Sequence, residues 1–293
     1  MSESATGTFD LHCHPSPDIS PRSQTDEEVA EGCLRSGQRG FVIKSHVAPT
    51  ADRAVSVRAR HPDVEVLGSI TLNRPVGGLN AAAVEVAARS GARMVWMPTL
   101  DSRAQRADQR LPSGYAAPVW SGVHQEMAAK PGYGPPVGIL EGDRLCARAH
   151  DVLDVVAEFD LAIGTGHLDA QEVSVLLAEL RRRRVQRVMV THPDLPRQGI
   201  GIKEQQEFAR QGALIERCLS VVQGGKVTEQ ATRERIRACG ASRTVVTTDL
   251  GQPGGDLISD GMAIWRRMLA SWSFPDADIV SMTSTTPFHL VSP

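Results

Sequence analysis

The chain lacks any surplus of basic charge: 32 Lys and Arg against 34 Asp and Glu leave it a formal net charge of −2. That balance removes the electrostatic case for a nucleic-acid partner or an anionic membrane surface. The single basic block, Arg181-Arg182-Arg183-Arg184, falls at the end of an expected helix, where cations complement the helix dipole. Cysteine is sparse and odd in number, five at irregular spacings, which fits a reducing compartment better than a disulfide framework. No apolar run approaches the length of a bilayer span, and the N-terminus has no basic-then-apolar leader. A cytoplasmic location is expected. The glycine pairs Gly77-Gly78 and Gly254-Gly255 lack the spacing of a phosphate cradle, and no G-x-S-x-G nucleophile motif occurs.

What is present is an ordinary globular composition, 41% hydrophobic over 293 residues, enough for one large α/β domain spanning 1–293. Short apolar runs at 8–13, 40–46, 64–72, 92–98, 160–166, 186–192, 212–218 and 243–249 read as strands. Helix-like runs alternate with them. Thr50 and Asn80 are start signals, and Asp169 with Glu172 forms a capping box ahead of Val173, Leu176, Leu177 and Leu180 on one face. Strand starts recur at intervals suited to βα units, and eight such units predict a (β/α)₈ barrel, with an open doubly wound sheet as the alternative. One interval is long. Residues 99–141, with Tyr115, Trp120, His124 and Tyr133, are expected to form a lid after strand four.

Barrels carry their chemistry at the C-terminal strand ends. Strand one opens the chain with Phe9-Asp10-Leu11-His12-Cys13-His14, where period two sets Asp10, His12 and His14 on one face and Cys13 in the core. Paired neutral imidazoles suit Zn²⁺ or a similar transition metal. Strand two ends in Lys44-Ser45-His46, strand five in Gly166-His167, strand six in Thr191-His192 and strand eight in Thr248-Asp249. Five of the nine histidines thus lie at predicted strand ends, a clustering that points to a metal site. Glu216, on strand seven, would need a polar partner if it faces inward.

These residues resemble the amidohydrolase superfamily of metal-dependent barrel enzymes. The family pattern is an H-x-H on strand one, single histidines on strands five and six, and an aspartate on strand eight. His12, His14, His167, His192 and Asp249 match it in order and in strand. The stretches Leu72-Asn73-Arg74-Pro75, Val95-Trp96-Met97-Pro98 and Asp249-Leu250-Gly251-Gln252 are similar to a sparsely characterised branch of that superfamily, and Thr286-Pro287-Phe288-His289-Leu290 looks like its closing helix. The resemblance implies a hydrolase with one or two divalent ions, in which a metal-activated hydroxide cleaves a small amide, cyclic amide or lactone and Asp249 serves as general base and acid. Many binuclear members carry a bridging lysine or glutamate on strand four, which is absent here. The candidate bridge is Lys44 on strand two. A free ammonium cannot bind a cation, whereas an N-carboxylysine can. His46 is a further ligand candidate, and Arg53, Arg74, Trp96 and Gln252 are the expected substrate contacts. Such barrels often form homo-oligomers. A one-metal decarboxylase, a phosphoesterase and a non-catalytic metal-binding barrel are the competing readings.

Overall fold

The computed structural model describes residues 7–107 and 119–292. Eight parallel strands follow one another in chain order: β1 (Phe9–Cys13), β2 (Gly40–Ile43), β3 (Glu65–Thr71), β4 (Ala92–Trp96), β5 (Ala162–Gly164), β6 (Val188–Val190), β7 (Leu214–Cys218) and β8 (Thr244–Thr247). The sheet curls until its edges meet. Asp249 N–H donates to His12 O at 2.7 Å, His14 N–H donates to Leu250 O at 2.8 Å, and Cys13 bridges Leu250 in parallel. These contacts rule out the open sheet, and the fold is a (β/α)₈ barrel with an insertion after β4.

The interior is filled from below by Phe9, Leu11, Val42, Leu67, Met94, Trp96, Met189 and Val245. The C-terminal helix Thr286–Val291 plugs the N-terminal end, where Phe288 meets Phe9 edge-on at 5.5 Å. Arg93 and Arg187 donate to the last carbonyls of that helix, satisfying acceptors that have no intrahelical partner. Larger apolar layers pack the outer strand faces against the helices, Val29, Ile43, Ile258 and Trp265 on one side and Ile163, Leu176 and Val190 on the other. Among the described residues no helix is long and apolar enough to cross a membrane.

Strict alternation fails in β1. Its register against β2 shifts between Asp10 and Cys13. Phe9 and Leu11 belong to the barrel interior, yet Cys13 packs in the outer layer, so the inward face passes from odd to even residues at the shift. His12 and His14 therefore face the mouth, while Asp10 does not join them. Asp10 accepts from Thr248 N–H and His12 N–H, both at 3.1 Å, and from Thr248 Oγ1 at 2.5 Å, stitching β1 to the end of β8.

The expected caps form at Asp169, which closes its capping box with Glu172, and at Asn80, which accepts from Ala83 N–H. Thr50 differs. It precedes helix Ala51–Arg60, but its hydroxyl donates to Ile43 O at 2.7 Å and accepts from Ser69 N–H at 2.8 Å, tying β2 to β3 instead of capping. In the insertion, helices Arg103–Ala107 and Val119–Ala128 and a hairpin of Leu140–Glu141 with Arg144–Leu145 are described, whereas Tyr115 lies outside the described residues.

Candidate metal centre

The mouth is assembled from strand ends. His12 and His14 come from β1, Lys44 and His46 follow β2, His167 follows β5, His192 follows β6, and Asp249 lies just past β8. Their shared position is a consequence of the fold, since parallel strands place all their C-termini on one rim. His192 (φ 25°) and Asp249 (φ 49°) adopt left-handed backbone. Non-glycine residues pay a steric cost there, and such strain gathers at sites where side-chain aim matters.

His12 Nε2 and His14 Nε2 lie 3.0 and 3.1 Å from the same oxygen, Asp249 Oδ1. The three form a group able to hold a metal ion. Ligands ~2.0–2.1 Å from a tetrahedral zinc stand about 3.3 Å apart, so the spacing suits a common ion. His192 is 5.8 Å from His12 and 4.8 Å from His167, centroid to centroid, completing a ring of imidazoles.

Each of these histidines is held by its far nitrogen. His12 Nδ1 donates to Glu216 Oε1 at 2.8 Å, and His14 Nδ1 to the Lys44 carbonyl at 3.1 Å. His167 Nδ1 donates to Gln105 Oε1 at 3.0 Å, and His192 Nδ1 to Gln198 Oε1 at 3.2 Å. An acceptor at Nδ1 fixes the proton there and leaves the Nε2 lone pair outward, the tautomer a metal requires. Glu216 does more. Its Oε2 accepts the His192 N–H at 2.8 Å, and Thr247 Oγ1 donates to its Oε1, so one buried carboxylate ties β1, β6 and β8 together.

The imidazoles of the centre divide in proton affinity. Burial pushes His14 down to about 3, and it takes His46 and His167 well below the usual imidazole range. His12 moves the other way. Burial and Lys44 oppose its charge, but the carboxylates of Asp249 and Glu216 outweigh them and raise it to about 8. Burial would raise Asp249, yet His12 and His14 hold it well below the carboxylate range. Buried imidazoles around an ionised carboxylate are the donor set of a zinc-type ion, and the residues present fit one.

Lys44 is fully buried, its Nζ 2.8 Å from His12 Nε2 and 4.2 Å from the Trp96 ring centroid, and burial lowers its proton affinity. Trp96 forms the floor, 4.8 Å from the His12 ring, and its Nε1–H is buried without an acceptor among the described residues. Gly164 makes room for it, because a Cβ there would meet the indole at 2.4 Å. His46 stacks on His14 at 4.7 Å and bonds Thr99 Oγ1 through Nδ1, outside the triad.

The other expected contacts are placed elsewhere. Arg53 is spent on Asp26, through Nε and Nη2 at 2.8 and 2.7 Å, and on the Pro15 carbonyl. Arg74 donates to Pro135 O in the lid. Gln252 is half-buried on the loop three residues past Asp249. Gln105 and Gln198 are anchors that the sequence did not betray, because neither has a fixed spacing from the histidine it holds.

The chain thus presents a parallel barrel with a histidine-lined mouth closed by one aspartate. The chain itself belongs to the family of unknown function DUF6282, whose profile matches residues 7–216, and Asp249 lies beyond that match. No curated protein matches it in sequence. Among solved structures, an amidohydrolase from Pseudomonas aeruginosa shares the fold with a TM-score of 0.64 at 10% identity, over 98% of this chain and 95% of that one. A 2,6-dihydroxybenzoate decarboxylase from Rhizobium superposes with a TM-score of 0.57 at 13% identity, over 98% of both chains.

Proposed function

We propose that the protein is a metal-dependent hydrolase of small amides, cyclic amides or lactones, with His12, His14, His167, His192 and Asp249 holding one or two divalent ions of the zinc type. The reading is carried by the convergence of His12 Nε2 and His14 Nε2 on Asp249 Oδ1. Such an ion, when bound, makes water acidic enough to ionise at about pH 7 and polarises a carbonyl. The remaining work belongs to the chain. Asp249 stays ionised, its side chain 23% exposed at the mouth, and Ser220 Oγ donates to its Oδ2 at 2.9 Å, fixing the rotamer. From there the carboxylate takes the proton of the attacking water and returns it to the leaving nitrogen or oxygen. Trp96 closes the floor against bulk solvent, Glu216 keeps His12 in its ligating tautomer and holds the His192 backbone, and Gln198 sets the His192 tautomer. Asp249→Asn is expected to keep fold and metal content while turnover on a lactone and cyclic-amide panel falls by ~10²–10⁴-fold. Undiminished turnover would remove Asp249 from this role.

Lys44 sets the number of ions. A neutral amine and CO₂ condense to a carbamate with release of one proton, giving an anionic ligand able to bridge two cations. One observation supports this form: the amine is fully buried beside His12 Nε2. Protein loaded with metal under ¹³C-bicarbonate is expected to show a carbamate carbon resonance that Lys44→Met lacks. The same short amine-to-imidazole contact, left unmodified, favours a second reading, a one-ion decarboxylase, decarboxylation being the reaction named for the Rhizobium neighbour. Release of CO₂ from a carboxylic acid without incorporation of solvent oxygen would select it.

A further inference from the structure

The loop that follows β1 carries a cation that the centre described above does not employ and that the fold pairs through only one of its nitrogens. Residues 15–25 arch over the barrel mouth. The arch is pinched at its base by Ser16 N–H donating to Gln24 O and Asp26 N–H donating to Ser16 O, at 2.8 and 3.0 Å. Its far limb is pinned to the end of the barrel by Ser23 N–H donating to Gly251 O at 2.9 Å, two residues past Asp249. Three prolines, Pro15, Pro17 and Pro21, restrict its backbone. On it lies Arg22.

The Arg22 side chain is 2% exposed. One of its nitrogens, Nη2, donates to Asp18 Oδ2 at 3.0 Å, and Asp18 is itself held in a turn by Ser20 N–H. Its other two nitrogens, Nε and Nη1, are buried with no hydrogen-bond partner among the described residues, and the neighbouring Ser23 hydroxyl is orphaned too. Among the described residues Arg22 is alone in having two nitrogens both buried and unpaired: Arg217, Arg233 and Arg266 each have only Nε so, and Arg53 bonds through Nε and Nη2. A buried guanidinium with idle donors costs free energy that a bound anion would recover. The group is near the reaction centre, since its neighbour Ser23 bonds Gly251, and Gly251 packs so tightly on strand one that a Cβ there would meet the His14 carbonyl oxygen at 2.1 Å.

We propose that Arg22, with the Ser23 hydroxyl beside it, is an anion subsite at the rim of the metal centre, and that the substrate carries a carboxylate which this guanidinium binds. The identity of the reaction rests on the hydrolase reading, but the subsite does not. A carboxylate fits better than a phosphate dianion, because Asp18 already offsets part of the Arg22 charge and Asp249 stands close by. Guanidinium-to-carboxylate bonds are charge-assisted and directional, so the subsite would orient the scissile bond as well as hold the substrate.

The test is calorimetric titration of zinc-loaded protein with succinate, metal content being measured on the same samples. Arg22→Gln is expected to weaken succinate by about tenfold or more, and Arg22→Lys by less. Asp18→Asn, which releases Nη2 and removes a competing negative charge, is expected to bind succinate severalfold tighter. A purely structural Arg22–Asp18 pair predicts another pattern, lower melting temperatures in both variants with succinate affinity unchanged. Affinity within twofold of the wild type in Arg22→Gln would overturn the subsite. If that variant does not fold, a weakened Arg22→Lys and a strengthened Asp18→Asn support it, and the reverse order overturns it. Inorganic phosphate binding more tightly than succinate would overturn the carboxylate assignment. A protein that hydrolyses no amide or lactone yet binds succinate through Arg22 rejects the hydrolase and keeps the subsite, and active hydrolysis with Arg22-independent succinate binding does the opposite.

Discussion

Asp10 and His12 stand two apart in one strand and face different surroundings, and Asp10 pays for its position. Burial raises its carboxyl to about 6, against bonds from Thr248 and His12 that lower it. An acid whose folded pKa is raised binds its proton more tightly folded than unfolded. Its stabilising proton is fully present below the unfolded value near 4 and is lost as pH climbs towards 6, a difference of about 3 kcal/mol. Asp10→Asn keeps an acceptor for the two N–H groups and carries no such penalty. Denaturant midpoints are expected to fall between pH 4 and 6.5 more steeply for the wild type than for Asp10→Asn, and parallel profiles would refute the assignment. The same stretch shows what the sequence made legible. His12, His14, His167, His192 and Asp249 were visible because each sits at the end of an apolar run, and Glu216 because a buried carboxylate needs a partner. Asp10 was misplaced because one register slip inverts a period-two pattern without any mark in composition. In sequence Arg22 looks like Arg53 and Arg74, because nothing local distinguishes an arginine that is already paired from one that is not.

At the scale of elements, the strands are shorter than their apolar runs. The run 186–192 yields a ladder of Val188–Val190 only, since the backbone leaves the sheet to turn His192 into the mouth. The lid shows the complementary case, a loop given order by one residue. Buried Asp101 accepts from Arg74 N–H at 2.8 Å, Tyr133 Oη at 3.0 Å and His124 Nε2 at 3.2 Å, while its own N–H donates to Asn73. Asn73 in turn donates to the His46 carbonyl and to Thr99 Oγ1, so the lid and the rim share one network. Asp101→Ala strands three donors at a cost of about 1–3 kcal/mol each where they stay buried. Faster limited proteolysis within 119–137, with an unchanged barrel by circular dichroism, is the expected result. An unaltered cleavage rate would show that the lid is held by other means. Sequence places His124 and Tyr133 in the lid but leaves their common anchor unmarked, because Asp101 stands more than twenty positions from either at no fixed spacing.

For the molecule as a whole, the centre draws on β1, β5, β6 and β8 and so couples opposite sides of the barrel. A cation bound there stabilises only the closed form. At a hundredfold excess over its dissociation constant it contributes about 2.7 kcal/mol, or roughly 5–10 °C in melting temperature for a chain of this size. Chelation should lower the melting temperature by that amount and zinc should restore it, whereas His14→Ala should melt alike in both conditions. An equal response in His14→Ala would place the ion elsewhere. Eight units were countable because each strand run is apolar and each helix carries its own start signal, whereas closure was not, since the seam depends on pairs such as His12 with Asp249 that stand more than two hundred positions apart.

That seam also fixes a chronology. Asp249 N–H reaches His12 O, and Asp249 Oδ1 reaches both imidazoles of the first strand, so the chain's opening residues wait for nearly its last fifty before their site exists. During synthesis from the ribosome, His12 and His14 emerge early and remain without the carboxylate until β8 is delivered. Assembly of the complete His12–His14–Asp249 cluster is thus the final act of folding, and an unfinished or truncated polypeptide lacks it by its own topology.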